Sequence, residues 1–184
     1  MKVKPNDCVF LIIDVQDRLI ETISEHDKIV LNIIDLIKAT GVLGVPVLAT
    51  EQEKLGETVE EIKTLLSGPV FRKLIFSCCG STEFMTRLKQ IGKRTIIVCG
   101  IETHICVVQT VLDLIKRHYH VLVVKDATSS HAAIDRETAI ERMKESGATI
   151  TTTEAVIYEL TERAGTEEFR KILEIIKASR RRGQ

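Results

Sequence analysis

Asp14 and Lys73 each follow an apolar run, and Cys106 stands a short loop beyond a third. An acid, an amine and a thiol gathered in one place can make a nucleophile. The thiolate attacks rather than the thiol, and a thiol of ordinary pKa, about 8.5, is mostly protonated at neutral pH. A carboxylate at Asp14 can take that proton as a general base. An ammonium at Lys73, between the two, keeps the carboxylate ionised and lowers the cost of the thiolate. Cys106 is expected in the first turn of a helix, where unpaired N–H groups and the macrodipole favour an anion. The loop from Gly100 to Cys106 carries backbone N–H groups that can receive a developing oxyanion, one such donor being worth about 3 kcal/mol. Singly, each residue has an ordinary explanation: packing for the cysteine, a turn cap for the aspartate, a solvated charge for the lysine. It is their common placement that points to chemistry.

That placement comes from the elements around them. Short runs at 9–13, 46–49, 70–71, 95–98 and 121–124, with a weaker one at 148–150, are apolar on both faces, as buried parallel strands are. Between them apolar residues recur at three-to-four spacing. Ile29, Ile33 and Leu36 make one stripe, Val59, Ile62, Leu65 and Leu66 another, and Phe84, Leu88 and Ile91 a third. Val107, Val111 and Leu114, then Ala139, Ile140 and Met143, then Phe169, Ile172 and Ile176 continue the alternation. Gly41, Gly92 and Gly147 read as helix ends. The pattern predicts a three-layer α-β-α doubly wound sheet of six mainly parallel strands. Ligands bind outside the carboxyl ends of such strands, so Asp14, Lys73 and Cys106 share one edge.

The chain of 184 residues is long enough to bury a core, and no linker or repeat divides it. It reads as a single domain over 1–184, with a core at about 8–177 and a solvated basic tail at 178–184 around Arg180-Arg181-Arg182. Lys plus Arg and Asp plus Glu both number 26, so no net field favours nucleic acid as a partner. The five cysteines form no CxxC pair, zinc template or disulfide framework, which suits a reducing compartment. Lys2, Lys4 and Asp7 argue against a signal peptide, and no run is long enough for a membrane helix. A cytoplasmic protein is expected.

At these residues the chain resembles the isochorismatase-like cysteine hydrolases, a family that includes nicotinamidases and N-carbamoylsarcosine amidohydrolase. The likeness spans about residues 8 to 177. It is carried by Leu11-Ile12-Ile13-Asp14-Val15-Gln16, Lys73-Leu74-Ile75-Phe76-Ser77 and Gly100-Ile101-Glu102-Thr103-His104-Ile105-Cys106-Val107. Ala49-Thr50-Glu51-Gln52, Lys125-Asp126-Ala127 and 147–154 support it. The resemblance implies strand order 3-2-1-4-5-6, with Cys106 attacking a carbonyl carbon, Asp14 as base and Lys73 as partner to both. It further implies a cis peptide between Ile101 and Glu102, an oxyanion site formed by the N–H groups of Glu102 and Cys106, and a thioester opened by water. The reaction it implies is hydrolysis of a small-molecule amide or related C–N bond, in a homo-oligomer and without a cofactor.

The departures are informative. Nicotinamidases carry a metal-binding Asp-x-His after strand two, whereas this chain has Thr50-Glu51-Gln52-Glu53-Lys54-Leu55-Gly56, without histidine. No catalytic metal is therefore expected, and nicotinamide is disfavoured as substrate. Gln16, Gln52, Phe76 and His104 are the candidate pocket residues. Gln16 is also suited to hydrogen-bond the crevice backbone, and Cys78 and Cys79 either line the pocket or pack. Three other readings compete: a silent family member serving as metabolite binder or scaffold, a receiver-like switch domain, and thiol redox chemistry. The second lacks an acceptor Asp after strand three, where Lys73 stands, and the third wants a resolving cysteine.

Overall fold

A computed structural model of the chain describes residues 2–182. Six strands make one parallel sheet: β1 (Cys8–Ile13), β2 (Val47–Gln52), β3 (Val70–Lys73), β4 (Thr95–Ile101), β5 (His120–Ser129) and β6 (Thr149–Thr151). Their order is β3-β2-β1-β4-β5-β6, as the resemblance implied. The helices are α1 (Asp17–Ile20), α2 (His26–Leu43), α3 (Glu60–Lys63), α4 (Thr82–Ile91), α5 (Val108–Lys116), α6 (Ala133–Glu145), α7 (Thr153–Thr161) and α8 (Glu167–Arg182).

The apolar character of β1 on both faces has its cause in two cores. Phe10 and Ile12 enter one with Ile29 and Ile33 of α2, Ile157 of α7 and Ile172 of α8. Val9, Leu11 and Ile13 alternate into the other, with Phe84 of α4, Val111 of α5 and Met143 of α6. Each fully buried side chain of this kind contributes roughly 1.5–3 kcal/mol. The sheet is thus held from both sides, and its carboxyl edge is free to carry polar groups.

Several boundaries differ from the sequence reading. Gly41 lies inside α2, which ends instead at Gly44, whose φ of 67° is the left-handed cap. The stripe Val59-Ile62-Leu65-Leu66 yields only the four residues of α3. β5 continues past Val124 through polar residues to Ser129, with a register shift opposite Val98 and Gly100. There Thr128 donates to the Gly100 carbonyl at 2.7 Å, so a polar side chain satisfies the strand where apolar periodicity gives no signal.

The basic segment 178–184 is helical over its described part, with Arg180, Arg181 and Arg182 exposed and two of them ion-paired. α8 runs on to Arg182, one of whose guanidinium nitrogens donates to both oxygens of buried Asp35 in α2, at 2.7 and 2.6 Å. Arg180 pairs with Glu154 of α7. A carboxylate buried on α2 needs a cation, and Arg182 supplies it. Gly183 and Gln184 lie outside the described residues.

Candidate active site

β1 runs into Asp14, whose φ of 52° is left-handed, a conformation aspartate tolerates better than most residues. Its N–H donates to the Thr50 carbonyl at 3.1 Å, and its carbonyl accepts from the Gln16 N–H at 2.9 Å, so the backbone bends away at the strand end. The carboxylate is buried. Oδ1 accepts from the Thr50 hydroxyl at 2.8 Å and Oδ2 from Lys73 Nζ at 2.6 Å. Lys73 closes β3 in register with Gln52, so its stem reaches past β2 to meet an acid on β1.

β4 approaches β1 closely enough that only glycine fits at position 100. A Cβ there would lie 2.1 Å from the Ile13 carbonyl oxygen, and the φ of 117° is closed to ordinary side chains. Beyond it the Ile101–Glu102 peptide is cis. The chain then turns through a single π-helical turn, Thr103–Val107, in which the Glu102 carbonyl accepts from Val107 N at 3.2 Å and Ile105 N at 3.1 Å. Cys106 sits in this π-helical turn, the first turn of a helix that continues without a break as α5. Such turns are frequent at functional sites. Thr110 of α5 donates to the Cys106 carbonyl at 2.7 Å, and the Thr103 and Thr128 hydroxyls meet at 2.9 Å.

Lys73 Nζ lies 3.6 Å from Cys106 Sγ, so one ammonium joins the acid and the thiol. Burial works to discharge Lys73, but the Asp14 charge and hydrogen bond, with smaller contributions from the neighbouring Cys78 and Cys106 sulfurs, outweigh it and hold its pKa above the ordinary lysine value. Burial pushes the Cys106 thiol far up, and the Asp14 charge adds to this while Lys73 opposes it. Burial and the Asp14 charge together favour the thiol form of the resting sulfur over the standing thiolate that a helix N-terminus would favour. Its proton has to leave as the sulfur attacks.

The other predicted residues divide. Gln16 is fully buried and bonds the crevice backbone: its Nε2 donates to the Gln52 carbonyl at 3.0 Å and the Gly56 carbonyl at 2.8 Å, and its Oε1 accepts from Gln52 N at 2.8 Å. Gln52 Oε1 accepts from Lys73 Nζ at 2.9 Å. Phe76 is half exposed, with Leu74 and Ile75 exposed beside it. The His104 ring meets the Ser130 hydroxyl at 2.9 Å and faces Glu102 and Asp135 at 3.9 and 4.0 Å. Gln52 also lines a cavity of about 470 Å³ with Arg18, Lys54 and Arg72, to which none of Asp14, Lys73 and Cys106 contributes.

Sequence reasoning assigned no role to Thr50, Thr110 or Thr128, whose one signal was a hydroxyl within or beside an otherwise apolar run. Cys78 packs against the cluster, its Sγ 3.6 Å from the Thr50 hydroxyl and its pKa pushed to about 11 by burial. Among the described residues no group of three His, Cys, Asp or Glu side chains is placed to hold a metal ion.

Fold and site together define a class: a doubly wound α/β domain with a buried carboxylate–ammonium–thiol cluster where the strand order reverses between β1 and β4. The isochorismatase domain model matches residues 8–155. The chain belongs to the isochorismatase family and has its hydrolase fold. It is 37% identical to the secreted isochorismatase effector Isc1 of Phytophthora sojae, over 94% of this chain and 86% of that one. The MAR1 ribonuclease structure from Caenorhabditis elegans superposes with a TM-score of 0.91 at 33% identity, covering 96% of this chain and 93% of that one. The YcaC gene product of Escherichia coli, described as an octameric hydrolase of unknown specificity, superposes with a TM-score of 0.90 at 25% identity, covering 98% and 94%. No helix among the described residues is long and apolar enough to cross a membrane.

Proposed function

We propose that this protein is a cysteine-dependent hydrolase that cleaves a small-molecule amide or related carbonyl C–N bond through a thioester. The reading rests on the buried contact of Lys73 Nζ with both Asp14 Oδ2, at 2.6 Å, and Cys106 Sγ, at 3.6 Å. Cys106 is the nucleophile, Asp14 the proton carrier and Lys73 the fixed charge between them. As Sγ bonds to the carbonyl carbon, its proton passes to Asp14, which balances the cost of burying a thiolate. The oxyanion is received by the N–H groups of Glu102 and Cys106, and Lys73 offsets the charge that moves between sulfur and carboxylate. Collapse breaks the C–N bond, and the departing amine takes the proton from Asp14. Water then attacks the thioester, Asp14 accepts its proton and returns it to sulfur, and the acid leaves.

The test is turnover of an amide and ureido-acid panel with intact-mass detection of an acyl-enzyme. Cys106→Ala abolishes the adduct and lowers any measured rate by at least about 1000-fold, and Asp14→Asn does nearly the same. A substrate turned over equally well by Cys106→Ala refutes the reading.

We further infer a single catalytic domain over 1–184 and a homo-oligomer, as described for the E. coli neighbour, with a small molecule and neither nucleic acid nor membrane as partner. All five cysteines are free and buried, which supports a reducing compartment, the cytoplasm. Light scattering on the purified chain checks the assembly: a monomer at micromolar concentration removes that inference.

A further inference from the structure

We propose that Gln52 is a positioning residue, whose side-chain carbonyl is the neutral third acceptor that keeps the Lys73 ammonium aimed at Asp14 and Cys106. The inference rests on the reading of Cys106 as nucleophile and adds a residue to it. An ammonium has three N–H groups and no acceptor. Those of Lys73 find Asp14 Oδ2 at 2.6 Å, Gln52 Oε1 at 2.9 Å and Cys106 Sγ at 3.6 Å. The set is complete: the ammonium, Asp14 and Cys106 are buried, and Gln52 stands half-buried at their rim. Put an apolar side chain in place of the middle acceptor and one donor of a buried ammonium loses its partner, so the ammonium would rotate or withdraw.

Gln52 is hydrogen-bonded through both its side-chain amide and its main chain. Its Nε2 donates to the Leu74 carbonyl at 2.8 Å, which settles the orientation of the amide: reversed, it would set NH₂ against the ammonium and oxygen against oxygen. Its main chain is clasped by Gln16, which accepts from Gln52 N at 2.8 Å and donates to Gln52 O at 3.0 Å, with a further bond to the Gly56 carbonyl at 2.8 Å. Gln16 thereby does for the end of β2 what a neighbouring strand would do. A line of amides thus runs from the turn after β1 through β2 to Lys73. The side-chain oxygen that a substrate would need is already committed inside the protein, so Gln52 acts through Lys73 rather than on substrate.

The neutrality of the acceptor matters as much as its position. Asp14 and Lys73 cancel, so the thiol ionises against a cluster of zero net charge. A carboxylate at position 52 would satisfy the same N–H group but make the cluster negative, which disfavours a thiolate. A second carboxylate here would cancel the charge that the sulfur requires.

The experiment follows acrylamide addition to Cys106 of the full-length protein by mass spectrometry between pH 6.5 and 9.5. It compares wild type, Gln52→Glu and Gln52→Met. Gln52→Glu moves the rate–pH curve of Cys106 up by about one unit, a tenfold loss of rate at a given pH. Gln52→Met, similar in length and uncharged, slows Cys106 by about threefold. Cys79, buried without contact to Lys73, keeps its wild-type rate in both variants and so reports an intact fold. A Cys106 curve unchanged in both variants, with wild-type Cys106 more reactive than Cys79, overturns the role of Gln52 alone. If wild-type Cys106 reacts no faster than Cys79, the nucleophile reading itself falls, and the role of Gln52 with it.

Discussion

Lys73 and Asp14 form an ion pair with both side chains withdrawn from water, and such a pair is costly to break from one side. Removing one partner of a buried pair typically costs about 3–5 kcal/mol, because the other is left charged and dry. Lys73→Met should therefore lower unfolding stability by about 3 kcal/mol, read as a shift in the urea midpoint with unchanged slope. Replacing both residues, as Asp14→Asn with Lys73→Met, should restore much of that loss while leaving the protein inert. A double variant as unstable as Lys73→Met would mean that the lysine acts by packing its stem and not by its charge. Thr50 is the quieter member of the cluster: its hydroxyl bonds Asp14 Oδ1 at 2.8 Å, and Thr50→Val should cost about 1–2 kcal/mol.

Among the elements, the meeting of β1 and β4 carries the tightest constraint. Gly100 and Gly44 both have positive φ, yet only Gly100 faces a backbone, with the Ile13 oxygen 2.1 Å from where a Cβ would stand. Gly44→Ala meets open space and should cost about 1 kcal/mol, the conformational term alone. Gly100→Ala should cost more than about 4 kcal/mol, because the strands that carry Asp14 and the Cys106 turn must separate. Equal melting temperatures for the two variants would count against a rigid β1–β4 contact. The helices show why periodicity alone misplaces boundaries. Nothing in the spacing of apolar residues distinguishes Gly41 inside α2 from Gly44 at its end; the distinction is a left-handed φ and a hydrogen bond from the cap N–H to Thr40 O.

For the whole molecule, the buried thiols set an alkaline limit. Cys8 and Cys78 are pushed by burial from 9.0 to about 11. Between those values the native chain keeps protons that the unfolded chain has released, so each rise in pH favours unfolding by up to about 1.4 kcal/mol per group per unit. The melting temperature should hold below pH 9 and fall steadily from 9 to 11, and Cys8→Ala should flatten that fall. A melting temperature independent of pH over the range would refute the assignment. Closure of the chain is a second property at this scale. Arg182→Ala, which leaves Asp35 buried without its cation, should cost about 2 kcal/mol, measurable by urea unfolding. A truly solvated tail would make that substitution neutral.

The amino-acid sequence by itself determined the parallel sheet, because runs apolar on both faces can only be covered on both sides. It also determined that Asp14 and Lys73 share an edge, because strand direction in such a sheet puts their ends together. The cis peptide, and the oxyanion roles proposed for Glu102 and Cys106, came from family likeness and not from any pattern in the residues. Only the tertiary structure decided the polar contacts. The Lys73–Asp14 bond joins residues 59 apart in the chain, and the Arg182–Asp35 bond residues 147 apart. Periodicity reports which face a residue turns to the core, a local property, whereas a buried polar atom is satisfied by whichever distant partner the fold delivers. For that reason Gln52 could be read from sequence as a pocket residue, and became a partner of Lys73 once β2 and β3 lay side by side.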